Sequence, residues 1–118
     1  MSRYSHLDVS ERHDVIVVRF LGCHLSIHAT VSDVGRELRE LANGQDGCKL
    51  IVDFFGVEDV SSTMLAMLVM LRRDTAVKRG RLVLCGLSPA VRKFLDESML
   101  NELFEIRETT AEAFVALA

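Results

Sequence analysis

The chain has no tryptophan, one tyrosine and one proline in 118 residues. With hydrophobic residues at 49%, so little proline argues against a disordered or linker-rich protein. A large surplus of either charge is also missing. The formal net charge is −3, with both signs mixed along the chain, so no basic stripe for nucleic acid is present. The basic clusters Arg72-Arg73 and Lys78-Arg79-Gly80-Arg81 read as a solvated helix end and a turn. The longest apolar run, Met64 to Leu71, falls far short of the roughly 20 residues that span a bilayer. Met1 to Leu7 is polar and carries no export signal. Three separated cysteines, Cys23, Cys48 and Cys85, form no C-x-x-C pair and read as free thiols in a reducing compartment. The expectation is a cytoplasmic protein of one domain, residues 1–118.

Catalytic patterns are equally scarce. No G-x-G-x-x-G or Walker loop follows an apolar run, and no G-x-S-x-G is present. Cys23, His24 and His28 lie close together, but no carboxylate falls within their stretch, and Asp33 is already inside the next helix. We read that loop as carrying incidental histidines rather than a metal. All four histidines lie in the first quarter of the chain and cannot be paired with a nucleophile from sequence. Glu58-Asp59 is a carboxylate pair on a loop with no pocket implied. "RRDT", Arg72 to Thr75, has the look of a basophilic kinase site but lies inside a predicted helix. The chain is expected to be no enzyme and to need no cofactor.

What is present is alternation. "DVIVVRFLG", Asp14 to Gly22, is β-branched and ends on Gly. Leu7 to Ser10 could pair with it antiparallel through a turn at Glu11 to Asp14. Val31, Val34, Leu38 and Leu41 predict a helix over 29–44, stopped by Asn43-Gly44. "CKLIVDFFG", Cys48 to Gly56, reads as a strand covered on both faces. A long helix is predicted from Ser62 to about Lys78, and a buried strand over Arg81 to Leu87. Ser88-Pro89 opens a short helix with Val91, Phe94, Leu95 and Met99 as its apolar positions. Leu103 to Glu108 is a last strand. Thr109 and Glu112 form a capping box for a helix ending at Leu117. The order predicts an α/β fold with a mostly parallel sheet and right-handed crossovers.

Three hydroxyls, Ser61, Ser62 and Thr63, stand at the mouth of the long helix. A hydroxyl there can cap the helix. A phosphate there would meet free N–H groups and the positive end of the helix dipole, so the fold tolerates it and an external partner feels its charge.

The stretch "LIVDFFGVEDVSST" and the second half, "KRGRLVLCGLSPAVRKFLDESMLNELFEI", resemble the STAS domain of the bacterial anti-sigma factor antagonist family. The resemblance runs from about residue 7 to 117. It implies the STAS fold: a mostly parallel four- to five-stranded sheet, an N-terminal antiparallel hairpin and about four helices. It also implies partner switching, in which the antagonist binds an anti-sigma factor that is a serine kinase. Phosphorylation of one Ser breaks the complex and a phosphatase resets it. By the resemblance that acceptor falls on Ser62, with Thr63 and Ser61 as alternatives. The sequence departs from the family pattern at four places. Ser61 replaces an acid, Met64 and Ala66 replace glycines, and Ser26 replaces an Asp. The predicted partner face comprises Ser26, Glu58, Asp59, Ser61 and Thr63, together with Met64, Met67 and Leu71 as a partly exposed apolar stripe. No nucleic acid or membrane insertion is expected. The oligomeric state is open, a homo-oligomer included. A second reading is a STAS binding module that is not phosphorylated, such as a scaffold subunit of a stress-sensing complex or a subunit of a lipid-transport complex.

Overall fold

A computed structural model describes residues 6–22, 24–25, 28–44 and 46–118, with the backbone alone at 28–30. The strands are β1 (Leu7–Arg12), β2 (Val15–Phe20), β3 (His24–Leu25), β4 (Lys49–Asp53), β5 (Asp59–Val60), β6 (Arg81–Cys85) and β7 (Glu105–Arg107). The helices are α1 (His28–Ala42), α2 (Ser62–Val77), α3 (Pro89–Glu97) and α4 (Thr110–Leu117). This is the α/β STAS fold. The main sheet has the order β1-β2-β4-β6-β7, with β1 antiparallel to β2 and the other pairings parallel.

The hairpin is tighter than predicted. Arg12 pairs with Val15, so the turn is His13-Asp14 alone. Both residues have positive φ, 52° and 65°, as a two-residue turn matched to strand twist requires. The expected Glu11–Asp14 turn therefore gives its first two residues to β1.

Two apolar layers follow from the pleat of the central strands. Leu50 and Val52 point to the side of α1, α2 and α3, whereas Ile51 points with Val83 and Cys85 towards α4. All three β4 residues are fully buried, as the unbroken apolar run predicts. α2 lies against both the sheet and α1, so its buried set is wide: Met64, Leu65, Met67, Leu68, Leu71 and Thr75.

That placement corrects one expectation. Met64 and Leu71 are 0% exposed and Met67 is 9% exposed. They are core, not a docking stripe. The cause is α1, which brings Gly35 so close that a Cβ there would lie 2.7 Å from Met67 Cγ. The large apolar residues that α2 exposes are instead Met70 and Val77.

Candidate functional site

The mouth of α2 is built by a small second sheet. β4 ends at Asp53, the chain turns at Gly56 (φ 86°), and Val57 is tucked into the core. Asp59 and Val60 then pair in parallel with His24 and Leu25. Next, the Ser61 N–H donates to the Leu25 carbonyl at 2.9 Å. Ser61 is extended (φ −93°, ψ 166°), and its Oγ accepts from the Met64 N–H at 3.1 Å. Ser61 is therefore the N-cap, and Ser62 is the first helical residue. Ser62 and Thr63 are both exposed. Helix geometry gives their N–H groups no intrahelical acceptor.

The loop before the helix is braced by His24. Its Nδ1 lies 2.5 Å from Asp59 Oδ1, and its Nε2 lies 3.4 Å from Glu58 Oε2. The hydrogen bond to Asp59 raises the His24 pKa above 6.5; the charges of Asp59 and Glu58 add to the rise and desolvation opposes it. A carboxylate therefore faces each ring nitrogen, an arrangement that favours the protonated ring. Sequence reasoning missed this brace because 35 residues separate the partners. The stretch around His24 has no acid of its own; Asp59 arrives from β5 and Glu58 from the loop before it.

A second polar anchor stands at the same end of the sheet. Asp53 is 2% exposed, accepts from Arg19 Nε at 2.8 Å and from the Phe55 N–H at 3.0 Å. Gly86 (φ 69°) makes room for it, since a Cβ there would lie 2.4 Å from Asp53 Oδ1. Burial, with the Asp53 charge second, pushes the neighbouring Cys85 thiol up to about 12. Arg19 also reaches over the Phe55 ring, 6.0 Å from its centroid. Phe55 and Leu21, at the ends of the adjacent strands β4 and β2, are 73% and 62% exposed. Neither was singled out in the sequence.

On the other flank of the α2 mouth, a groove of about 720 Å³ runs between α1 and α2. Val31, Gly35, Met67 and Met70 supply its apolar lining, Arg36, Arg39 and Glu40 its charged groups, and Thr63 belongs to it. Of the residues at the α2 mouth, Thr63 lines this groove, whereas Glu58, Asp59, Ser61 and Ser62 do not. Ser26 and Cys23, and the His28 side chain, lie outside the described residues. Among the described residues, no group of three or more His, Cys, Asp or Glu is placed to hold a metal. No helix among them is long and apolar enough to cross a membrane.

The STAS domain family model matches residues 6–113. The chain belongs to the STAS domain family. An anti-sigma-factor antagonist (STAS) domain protein from Planctomyces limnophilus superposes with a TM-score of 0.83 at 22% identity, over 93% of this chain and 96% of that one. The anti-sigma factor antagonist SpoIIAA in its unphosphorylated form gives 0.76 at 21% identity, over 94% and 95%. The Bacillus cell fate determinant SpoIIAA in its phosphorylated form gives 0.68 at 20% identity, over 95% and 99%. At these identities the likeness is one of fold. As a STAS domain, the chain resembles anti-sigma factor antagonists in architecture.

Proposed function

We propose that this STAS domain is a phosphorylation-controlled binding protein of the antagonist type. It binds an anti-sigma factor that is also a serine kinase; phosphate on Ser62 ends that binding, and a phosphatase restores it. The observation that carries the reading is the division of labour between adjacent hydroxyls. Ser61 is committed to the cap at 3.1 Å from the Met64 N–H, while Ser62 is exposed on the first turn. A phosphate on Ser62 would lie beside free N–H donors and the positive helix end. It would add close to two negative charges next to Glu58 and Asp59 without disturbing the core. Thr63, also exposed, is the second candidate acceptor. Ser61 is the weakest, because its modification would remove the cap.

The partner face accordingly comprises Glu58, Asp59, Ser62, Thr63 and the exposed turn around them. Site-resolved phosphopeptide mass spectrometry of the protein from its native host, in growing and stressed cells, tests the reading. Phosphate on Ser62 that changes with condition supports it. Absence of phosphate from Ser61, Ser62 and Thr63 in every condition favours a constitutive STAS binding subunit. The specific support for that second reading is Ser61, which stands where the family carries an acid and is fully occupied as a cap.

A further inference from the structure

We propose that β1 is a self-pairing edge, through which two copies of this chain join their sheets antiparallel about Ser10. β1 is six residues long and lies at the end of the main sheet. Among the described residues, no strand pairs with its outer side. Exposed strand edges are templates for pairing, and charged side chains usually deter it. Here the order of the charges deters some registers and favours one.

Two-fold antiparallel pairing places residues of the same sheet face opposite each other, so the axis must pass through one residue of the strand. Centring on Asp8 or on Glu11 sets like charges face to face. Centring on Val9 sets Asp8 against Ser10. Centring on Ser10 sets Asp8 of each copy against Arg12 of the other, twice, with the two Ser10 side chains between them. Opposite charges directly across strands stabilise pairing, and like charges oppose it. Among axes through Asp8, Val9, Ser10 and Glu11, the chemistry selects Ser10.

The face concerned is already polar and unfilled. Asp8, Ser10 and Arg12 line a hollow of about 240 Å³ beside α4, together with Arg19 and Phe114. The Arg12 guanidinium lies 5.5 Å from the Phe114 ring centroid, which holds it on this face. On the opposite face, Leu7 is buried and Val9 packs against the core. Each copy's core is therefore complete before pairing, and the join rests on main-chain hydrogen bonds and charge. Such a contact is small, so it is reversible and depends on concentration. The surface is separate from the mouth of α2, so its test does not depend on Ser62.

Sedimentation velocity of the full chain over a concentration series reads the association. The expected result is a monomer–dimer equilibrium. Asp8→Arg alone, or Arg12→Asp alone, should weaken it about ten-fold or more, and Asp8→Arg with Arg12→Asp together should restore it. Circular dichroism checks that the variants stay folded, as substitutions at exposed positions should. Cross-linking reads the register: residues directly opposite across an antiparallel pair lie about 4.5–5.5 Å apart at Cα, within disulfide reach. Ser10→Cys, made with Cys23→Ser, should form a disulfide dimer on mild oxidation much faster than Asp8→Cys in the same background. A chain that remains monomeric at all concentrations overturns the proposal. So does a dimer indifferent to the charge reversals, or an Asp8→Cys dimer that forms as fast as the Ser10→Cys dimer.

Discussion

His24 and Asp59 meet at 2.5 Å across the small β3–β5 sheet, and the Ser61 cap follows two residues later. The folded pKa of His24 is raised above its unfolded value of 6.5. The brace therefore contributes fully below pH 6.5 and is lost as pH rises through the folded value. An NMR titration of the His24 ring should show a midpoint above 6.5, and Asp59→Asn should lower it. The protection factor of the Ser61 amide, taken relative to the base-catalysed rate of an unstructured amide, should fall on the alkaline side of that midpoint. A His24 midpoint at or below 6.5 in the parent protein would remove the brace.

The two serines should separate in denaturant titrations. Ser61→Ala removes the N-cap and should cost about 1 kcal/mol. Ser62→Ala removes an exposed hydroxyl that caps nothing and should stay within about 0.5 kcal/mol of the parent. Equal costs at both positions would contradict the cap assignment. If Ser62 is the switch, Ser62→Asp should weaken partner binding with little change in melting temperature, as read by calorimetric titration and thermal unfolding.

Burial decides the role of the α2 apolar residues. Leu71→Ala should cost about 2–5 kcal/mol, because the side chain is fully enclosed. Met70→Ala, at a residue 45% exposed, should cost well under that. Comparable losses in urea unfolding would mean that α2 is not packed as described.

Gly86→Ala should destabilise by more than about 1 kcal/mol, since φ is 69° and the new methyl would meet Asp53 Oδ1. The companion readout is thiol chemistry. Cys85 is buried with its pKa pushed up to about 12, so at pH 8 it should be alkylated only through unfolding. In Gly86→Ala its labelling rate should rise with the unfolded population. Rapid labelling of Cys85 in the native parent would contradict the burial.

Most of the architecture was legible because the central strands β2, β4 and β6 each carry a run of at least three consecutive apolar residues and the helices carry their own punctuation. Ser88-Pro89 opens α3 and Thr109 caps α4 as read, with the Glu112 N–H donating to Thr109 Oγ1 at 3.2 Å. The return bond of that capping box goes to the Glu108 N–H rather than to Thr109. The strands β3 and β5 were invisible because two residues carry no period. The turn at His13-Asp14 was displaced in the reading because it lacks the Asn-Gly that usually marks it. Three consecutive hydroxyls can each cap a helix, so sequence could not choose Ser61 over Ser62. The methionine stripe misled for a different reason. Periodicity shows which residues share a face, but whether that face meets solvent depends on α1, where Gly35 leaves the space that Met67 fills.

That glycine links two positions that never touch in sequence. Gly35 and Met67 occupy one shared volume, the side chain of one filling the space that the other leaves. As STAS domains diverge, the two sites should not drift independently. A lineage that gains a side chain at the first should shorten the second, or let its two helices move apart and change the groove beside the α2 mouth. The width of that groove is thus inherited through a pair of residues rather than through either one.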